Sequence, residues 1–553
     1  MIKHDIARLV EKAASRAKKE GELPAVALPD AAIEHPLRAE HGDYASSLPL
    51  RLARAARGNP VDLGNTIVRY LEPSEAIAQV EVASPGFINF HLSEGWLARQ
   101  VDGILAAGES FGDVSGGSGQ QVQVEFVSAN PTGPLHAGNG RWAAIGSTLA
   151  RALSAAGYQV ETEYYFNDTG SQVDAFSRTL YARYQQLFGR QVPVPEDGYT
   201  GAYMVELAQA ARDRFGDTML RPEGQPPPAE LGRFGLDAVM EGIRHDLADL
   251  GAHFDCWYNE QSLYEPGGRY EAVMALLREK GYIAEKEKAT WFTSSQLGED
   301  KDNVLVRSSG EPTYFASDIA YHYDKFLMRG FQRVIDIWGA DHQGHVSRMK
   351  AAVAALGVDP DRLEIIIGQL VTLKRGAEVV RISKRSGDIV TLREVMDEVG
   401  ADACNFFFLS YSADAPIDFD LELAKLQSAE NPVYYVQYAH ARIAGILMHA
   451  QERIPDHADG DVSLLTHPAE LALIRKMLLL PELVESIART LEPHHLPHYA
   501  QELATAFHDF YEKCRVVSDD VPISKARLKL VAAARVVLAR TLGLMGVSAP
   551  DRM

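Results

Sequence analysis

The sequence predicts a central α/β domain built on a parallel sheet, preceded by an α+β N-terminal domain and followed by an all-α C-terminal helical bundle. Three observations carry that expectation. Gln121 to Val127 alternates and is rich in Val and Phe, while Arg141 to Ala156 is rich in Ala, Leu and Ile, so a strand passes through a Gly-containing turn into a helix. Val80 to Phe90, VEVASPGFINF, alternates like two strands broken at Pro85-Gly86, among helical stretches that reach about Ala107. From about Thr391 the helical period persists to the end with few strand signals.

Taken in order, residues 1–112 form the first unit, and Ser115-Gly116-Gly117-Ser118-Gly119 reads as a flexible linker into the second, 120–390. Within that unit about 167–255 is mostly helical, includes the loop Gly224-Gln225-Pro226-Pro227-Pro228, and reads as an insertion. The sheet is then expected to resume with strands at Val304 to Arg307, Val334 to Trp338 and Leu363 to Val371. The bundle takes 391–553, and no internal repeat or low-complexity tract stands out.

Composition narrows the class. A chain of 553 residues is long enough for three or four domains, and it has no apolar run long enough to span a membrane. The N-terminal MIKHDIARLVEKAASRAKKE is amphipathic, lacks a signal peptide's apolar core and carries Asp5, Glu11 and Glu20, which a transit peptide would avoid, so a cytoplasmic location is expected. Cys256, Cys404 and Cys514 are far apart and form no CxxC pair, which argues for a reducing compartment and against structural zinc. The formal charge of −20 opposes a nucleic-acid partner globally, yet binding follows local surface. Two basic stripes are candidates: Arg8, Lys12, Arg16 and Lys19 near the start, and Lys525, Arg527, Lys529, Arg535 and Arg540 near the end. Each is equally well an ordinary solvated helix face.

The chemistry concentrates in Val127 to Asn139, VSANPTGPLHAGN. A strand feeding a helix through such a turn aims unpaired N–H groups and the positive end of the helix dipole outward, where phosphate sits well. His136-Ala137-Gly138-Asn139 resembles the HIGH signature of class I aminoacyl-tRNA synthetases, and Ser128 to Pro134, SANPTGP, resembles the arginyl-tRNA synthetase version. Asn139 stands for the second His; it keeps a donor but no positive charge, so a weaker phosphate contact is expected. Arg381-Ile382-Ser383-Lys384-Arg385-Ser386-Gly387 gathers three cations and two hydroxyls in a Gly-ended loop and resembles the KMSKS loop, whose cations suit charge growing on departing pyrophosphate. Arg381 replaces its first Lys, which leaves Lys384 as the principal cation. Tyr314 to His322 and Gly339 to His345 also resemble arginyl-tRNA synthetase segments, as do His41-Gly42-Asp43-Tyr44-Ala45 and Asn431 to Arg442. Asp402-Ala403-Cys404-Asn405 departs from the tetrapeptide that names the family's DALR domain.

The resemblance implies a Rossmann-like catalytic domain, an N-terminal domain that touches the tRNA elbow, and an anticodon-binding bundle. It implies ATP and Mg2+ as cofactors, arginine and tRNA(Arg) as partners with neither membrane nor DNA, and a monomer. It implies further that the tRNA 2′-hydroxyl takes the arginyl group and that tRNA must be present for activation. His136, Asn139, Lys384 and Arg381 are the implied catalytic residues. ATP contacts are implied for Ala129, Pro131, Thr132, Gly133, Pro134, Leu135, His136, Ala137, Gly138, Asn139, Asp341, His342, His345, Ser383, Lys384 and Arg385. Counting back from His136 puts Asn130 and Glu125 on one half of the guanidinium site, and Tyr314 with Asp318 fits the other. The chemistry suits, since a planar fork of donors calls for convergent carboxylates and amide oxygens. Arg8, Lys12, Tyr434, Arg442, Lys525, Lys529 and Met553 are the expected tRNA contacts. The spacing of His342 and His345 would also suit a metal, but no third and fourth ligands cluster nearby, so no protein-held metal is expected. The two motifs alone leave open a small-molecule nucleotidyltransferase and a catalytically silent tRNA-binding relative.

Overall fold

The computed structural model describes residues 1–380 and 390–553. Its centre is a five-stranded, wholly parallel sheet: β1 (Gln121–Glu125), β2 (Gln159–Phe166), β3 (Cys256–Asn259), β4 (Arg333–Gly339) and β5 (Leu363–Gly368), in the order β5-β4-β1-β2-β3. Parallel neighbours need crossover connections. Helix α1 (Ala137–Ala155) links β1 to β2, and the expected insertion supplies Ser171–Gln186, Tyr203–Phe215 and Ala229–Asp249 before β3. Helix α2 (Tyr314–Tyr323) precedes β4, and α3 (Val346–Leu356) joins β4 to β5. The strand order reverses between β1 and β4, which opens a crevice at the strands' C-terminal ends. Buried Val122, Val124, Phe126, Ile145, Leu149 and Ile335 belong to a core continuous with both flanking domains. A second core gathers Leu263, Phe292, Phe315, Val334, Met349 and Leu363.

Four expectations need correction. Val304 to Arg307 is not part of the parallel sheet; Asn303–Val306 joins Ala289–Phe292 and Ile283–Lys286 in a separate antiparallel sheet. Leu363 to Val371 is two strands, because Gln369 turns to donate to Ala413 and the chain restarts at Val371–Arg375, which pairs in parallel with Ile417–Asp420. That last strand interrupts the region expected to be helical. Ser115 to Gly119 is held in place: the N–H groups of Val114, Gly117 and Gly119 donate to Ala155, Ala156 and Gly157, and a Cβ on Gly117 would lie 2.6 Å from Tyr158.

In the N-terminal domain the helix Ile2–Lys19 lies by an antiparallel four-stranded sheet whose hairpin joins Ile77–Ala83 to Phe87–Leu92. Its HGDYA segment faces the C-terminal bundle. Arg475 Nε donates to Asp43 at 2.5 Å, and Tyr44 OH to Glu482 at 2.6 Å, while His35 Nε2 lies 3.0 Å from the other Glu482 oxygen. Glu482 is held below the usual carboxylate range against its own desolvation by hydrogen bonds from His35 and Tyr44.

The bundle is led by α4 (Pro432–Ala450), α5 (His495–Lys513) and α6 (Val521–Leu544). Helix α6 is buried on most sides, so its basic residues have internal partners. Lys525 pairs with Asp459 at 2.6 Å, Lys529 with Asp102 and the Gly460 carbonyl, Arg535 with Asp551, and Arg540 with Asp113. Lys525 is thus tied within the bundle, and Lys529 joins the bundle to the N-terminal domain through Asp102. Asp402, which the DALR pattern shares, and Asn405, which departs from it, secure the chain's end: Asp402 accepts from Ser548 N at 2.9 Å, and Asn405 Nδ2 donates to the carbonyls of Leu250 and Gly546.

Candidate active site

The site grows from the end of β1. After Glu125 the chain passes through Val127 and Ser128 with φ of 71° and 44°, left-handed conformations that a β-branched residue adopts only under outside constraint. The constraint is visible. Tyr164 OH bonds both Ala129 N (3.1 Å) and Ala129 O (2.8 Å), and Ser128 Oγ accepts from Tyr165 N and donates to Glu125 Oε1 at 2.9 Å. Asn130 donates to Gln172 and accepts from Asn167 N. Pro131, Thr132, Leu135 and Ala137 are buried, Gly133, Pro134 and Gly138 half-buried, and Tyr203 OH donates to Thr132 O at 2.8 Å.

His136 is the N-cap of α1. Its Nδ1 accepts from Asn139 N at 3.3 Å, and Asn139 Oδ1 accepts from His136 N at 3.0 Å, a reciprocal capping box. With Nδ1 accepting, Nε2 carries the ring's hydrogen, and the surrounding protein holds the imidazole below its ordinary pKa. His136 is thus a neutral donor at the positive end of a 19-residue helix. Asn139 is buried, and its Oδ1 closes the cap and shapes the turn. A Cβ on Gly138 would lie 2.9 Å from the His136 ring, so glycine is what lets the ring fold over the helix start. Trp142, one turn on, lies edge-on to His136 with ring centroids 6.3 Å apart, and it covers Gly368 and Gly339, which face each other across β5 and β4.

Asp341, His342 and His345 occupy a short 3-10 turn just beyond β4, the first two exposed, with His342 5.5 Å from His345 between ring centroids. Glu161, Glu163 and Cys256 lie close enough to share an ion, but the Arg329 guanidinium donates to both carboxylates and is the cation there. Arg381, Ser383, Lys384 and Arg385 lie outside the described residues. Thr391, just past them, forms an antiparallel bridge with His136, and Leu392 N donates to Leu135 O at 2.7 Å. The chain therefore returns to the phosphate turn.

Beside this turn is an acidic pocket. Tyr314 and Asp318 are one turn apart on α2, and Tyr314 is 67% exposed. Burial, with Glu260 and Glu125 nearby, pushes the Asp318 carboxyl up to about 7 although His322 and Arg348 oppose the shift. Glu260, immediately after β3, was not foreseen from the sequence. It is buried and hydrogen-bonds the Tyr165 phenol, whose pKa rises through desolvation and through Glu260, Asp318 and Glu125. A strand assignment at Cys256–Asn259 would have placed Glu260 at the ligand-binding edge of the sheet, but four half-buried residues show no alternation. Among the described residues neither Asp318 nor Glu260 has an ion-pair partner. Glu125 does: Lys325 Nζ donates to its Oε2 at 2.6 Å. Three convergent carboxylates with one internal cation make a receptor for a cationic ligand.

Comparison with known proteins agrees with that geometry. Residues 1–92 match the arginyl tRNA synthetase N terminal domain, 100–195 and 237–407 the class I (R) tRNA synthetase catalytic domain, and 436–553 the DALR anticodon binding domain. The chain is 56% identical over 552 residues to the arginine–tRNA ligase of Dehalococcoides mccartyi, covering 100% of this chain and 99% of that protein. It is 48% identical over 555 residues to that of Moorella thermoacetica, with the same coverage. The chain belongs to the arginyl-tRNA synthetase family. The Thermus thermophilus arginyl-tRNA synthetase superposes with a TM-score of 0.77 over 100% of both chains at 22% identity, which shows the shared fold.

Elsewhere in this synthetase, the bundle exposes an aromatic ladder. Tyr434 and Tyr438 on α4 are parallel with centroids 6.2 Å apart, and Arg442 lies 5.3 Å from the Tyr438 ring and 5.0 Å from that of Tyr511. Met553 is exposed. At the N-terminus Arg8 and Lys12 are exposed, with surface partners Asp5 and Glu72.

Proposed function

We infer that the protein is an arginine–tRNA ligase, which activates arginine with ATP to arginyl-adenylate, releases pyrophosphate and passes the arginyl group to the terminal adenosine of tRNA(Arg). The observation that carries this reading is the pair of carboxylates with no ion-pair partner among the described residues, half-buried Asp318 and buried Glu260, beside a helix start capped by His136. The guanidinium takes Asp318 and Glu260, with Tyr314 at the rim. Glu125 and Asn130 line the side nearer the phosphate turn. An arginine carboxylate oxygen attacks the α-phosphorus in line, and the bond to the β-phosphate bridging oxygen breaks. His136 Nε2–H and the N–H groups at the α1 start stabilise charge on the phosphates, most strongly in the transition state. Lys384, with Arg381 and Arg385, neutralises the leaving pyrophosphate, and the Ser383 hydroxyl donates a hydrogen bond to it.

Magnesium prefers oxygen donors, and exposed Asp341 offers one while His342 and His345 do not. When bound, the ion neutralises the triphosphate. Trp142 with Gly339 and Gly368 forms a flat apolar wall beside His136 that suits the adenine. The exposed ladder of Tyr434, Tyr438, Arg442 and Tyr511 offers stacking faces to unpaired anticodon bases, with Met553, Arg8 and Lys12 further contacts. Among the described residues no helix is long and apolar enough to cross a membrane, and a tRNA substrate supports a cytoplasmic location. A charging assay with labelled amino acids and total tRNA tests the reading: arginine alone should be attached. Attachment of another amino acid, or of none, would overturn it.

A further inference from the structure

Lys325 is fully buried on a π-helical turn, Asp324–Met328, that ends α2. Its Nζ lies 2.6 Å from Glu125 Oε2, 2.8 Å from Asp336 Oδ1 and 4.1 Å from the centre of the Tyr321 ring. The second Asp336 oxygen is 2.9 Å from His322 Nε2, and His322 Nδ1 is 2.8 Å from the Asp318 carbonyl. A continuous chain thus runs from Glu125 on β1, through Lys325, Asp336 on β4 and His322, to the backbone of Asp318 on α2. It ties together the strand and the helix that carry the two candidate arginine carboxylates.

We propose that Lys325 is a positioning residue for arginine selection, which keeps the Glu125 carboxylate ionised and turned into the pocket. The reasoning rests on Glu125 contacting arginine. An isolated carboxylate loses its charge when buried, and a guanidinium gains little from a neutral acid. Burial already raises the Glu125 pKa with Lys325 opposing the rise. The other charged groups around the pair reinforce the need for a cation. Asp336 and Glu163 add negative charge from β4 and β2, Asp318 and Glu260 add it from the pocket, and Arg329 is engaged with Glu163. Tyr321 and Tyr165 are uncharged phenols, and His322 and Arg348 act on Asp318. Lys325 is the one cation in direct contact with Glu125 among the described residues. An ammonium also fits where it stands: it reaches two carboxylates and an aromatic face from one point, which a planar guanidinium cannot do without displacing one of them.

Steady-state charging of tRNA with arginine, read as separate KM values for arginine and ATP between about pH 6 and 8.5, tests this. Lys325→Met should raise the arginine KM by roughly tenfold or more at neutral pH. The rise should shrink as pH increases and Glu125 ionises, and the ATP KM should hold. In Glu125→Gln/Lys325→Met the arginine KM should equal that of Glu125→Gln alone and lose the added pH dependence, because the pocket carboxylate that Lys325 keeps ionised is then absent. If Lys325→Met does not fold, the charge-matched double variant and Lys325→Arg decide. Lys325→Arg should raise the arginine KM severalfold without adding pH dependence. If the rise of Lys325→Met over wild type is pH-independent, if Lys325→Arg equals wild type, or if the double variant is worse than Glu125→Gln, the role of Lys325 is overturned. If Glu125→Gln itself leaves the arginine KM unchanged, it is the assignment of Glu125 that fails.

Discussion

As an arginine contact, Asp318 should tie arginine binding to pH. Its carboxyl is pushed up to about 7, chiefly by burial, with Glu260 and Glu125 adding repulsion. About half of the pockets then hold a proton there at pH 7, about nine in ten at pH 6 and about one in ten at pH 8. A guanidinium needs the ionised form. The free enzyme binds the proton and the complex expels it, so affinity must rise with pH. The arginine KM should fall by roughly tenfold from pH 6 to pH 8, equivalent to about 1.4 kcal/mol, and the ATP KM should stay nearly flat. Asp318→Asn removes the titrating group and one charged partner. Its arginine KM should be at least about tenfold above wild type at pH 8 and should lose most of its slope. Charging assays at varied arginine and varied ATP, with melting curves to confirm folding, measure all of this. A flat wild-type profile, or an Asp318→Asn profile as steep as wild type, would refute the assignment of the proton to Asp318.

Replacing His136 with Ala should slow adenylate formation by on the order of 100-fold, read by pyrophosphate exchange, with little change in the arginine KM. The same variant loses the helix cap and should cost about 1 kcal/mol in denaturant stability. Lys384→Ala should cut turnover more than Arg381→Ala with little change in ATP binding, and the reverse ranking in single-turnover assays would make Arg381 the principal cation. At Gly368 a Cβ would lie 1.9 Å from Trp142 Nε1, so Gly368→Ala should destabilise by about 1–3 kcal/mol and impair ATP use. Adding Trp142→Ala should restore part of the stability, and a melting temperature that stays low in the double variant would place the strain elsewhere.

The parts of this chain legible from sequence were those with a local signature. The run through VSANPTGPLHAGN announced a strand, a phosphate turn and a helix, and Tyr314 with Asp318 announced a shared helix face. What escaped depends on distant partners. Val304 to Arg307 has good strand chemistry but nothing local says which sheet it joins. Glu260 and Lys325 carry no motif, and their meaning comes from carboxylates more than 50 residues away or across the sheet. The α6 lysines read as a basic stripe because their partners, Asp459 and Asp102, lie elsewhere in the chain. Asn139 read only as a phosphate ligand, and the structure adds that its amide oxygen is half of a capping box.

The contacts of the HGDYA segment bear on how the chain comes together during synthesis. Asp43 meets Arg475 and Tyr44 meets Glu482, partners translated more than 400 residues later. An N-terminal domain emerging from the ribosome therefore carries the exposed face of His35, Asp43 and Tyr44 through most of elongation, and closes it only once the helices at 468–490 have followed. A ribosome that stalls before that point leaves a product whose first domain can fold while its docking face stays open, a natural handle by which quality control could tell an unfinished synthetase from a finished one.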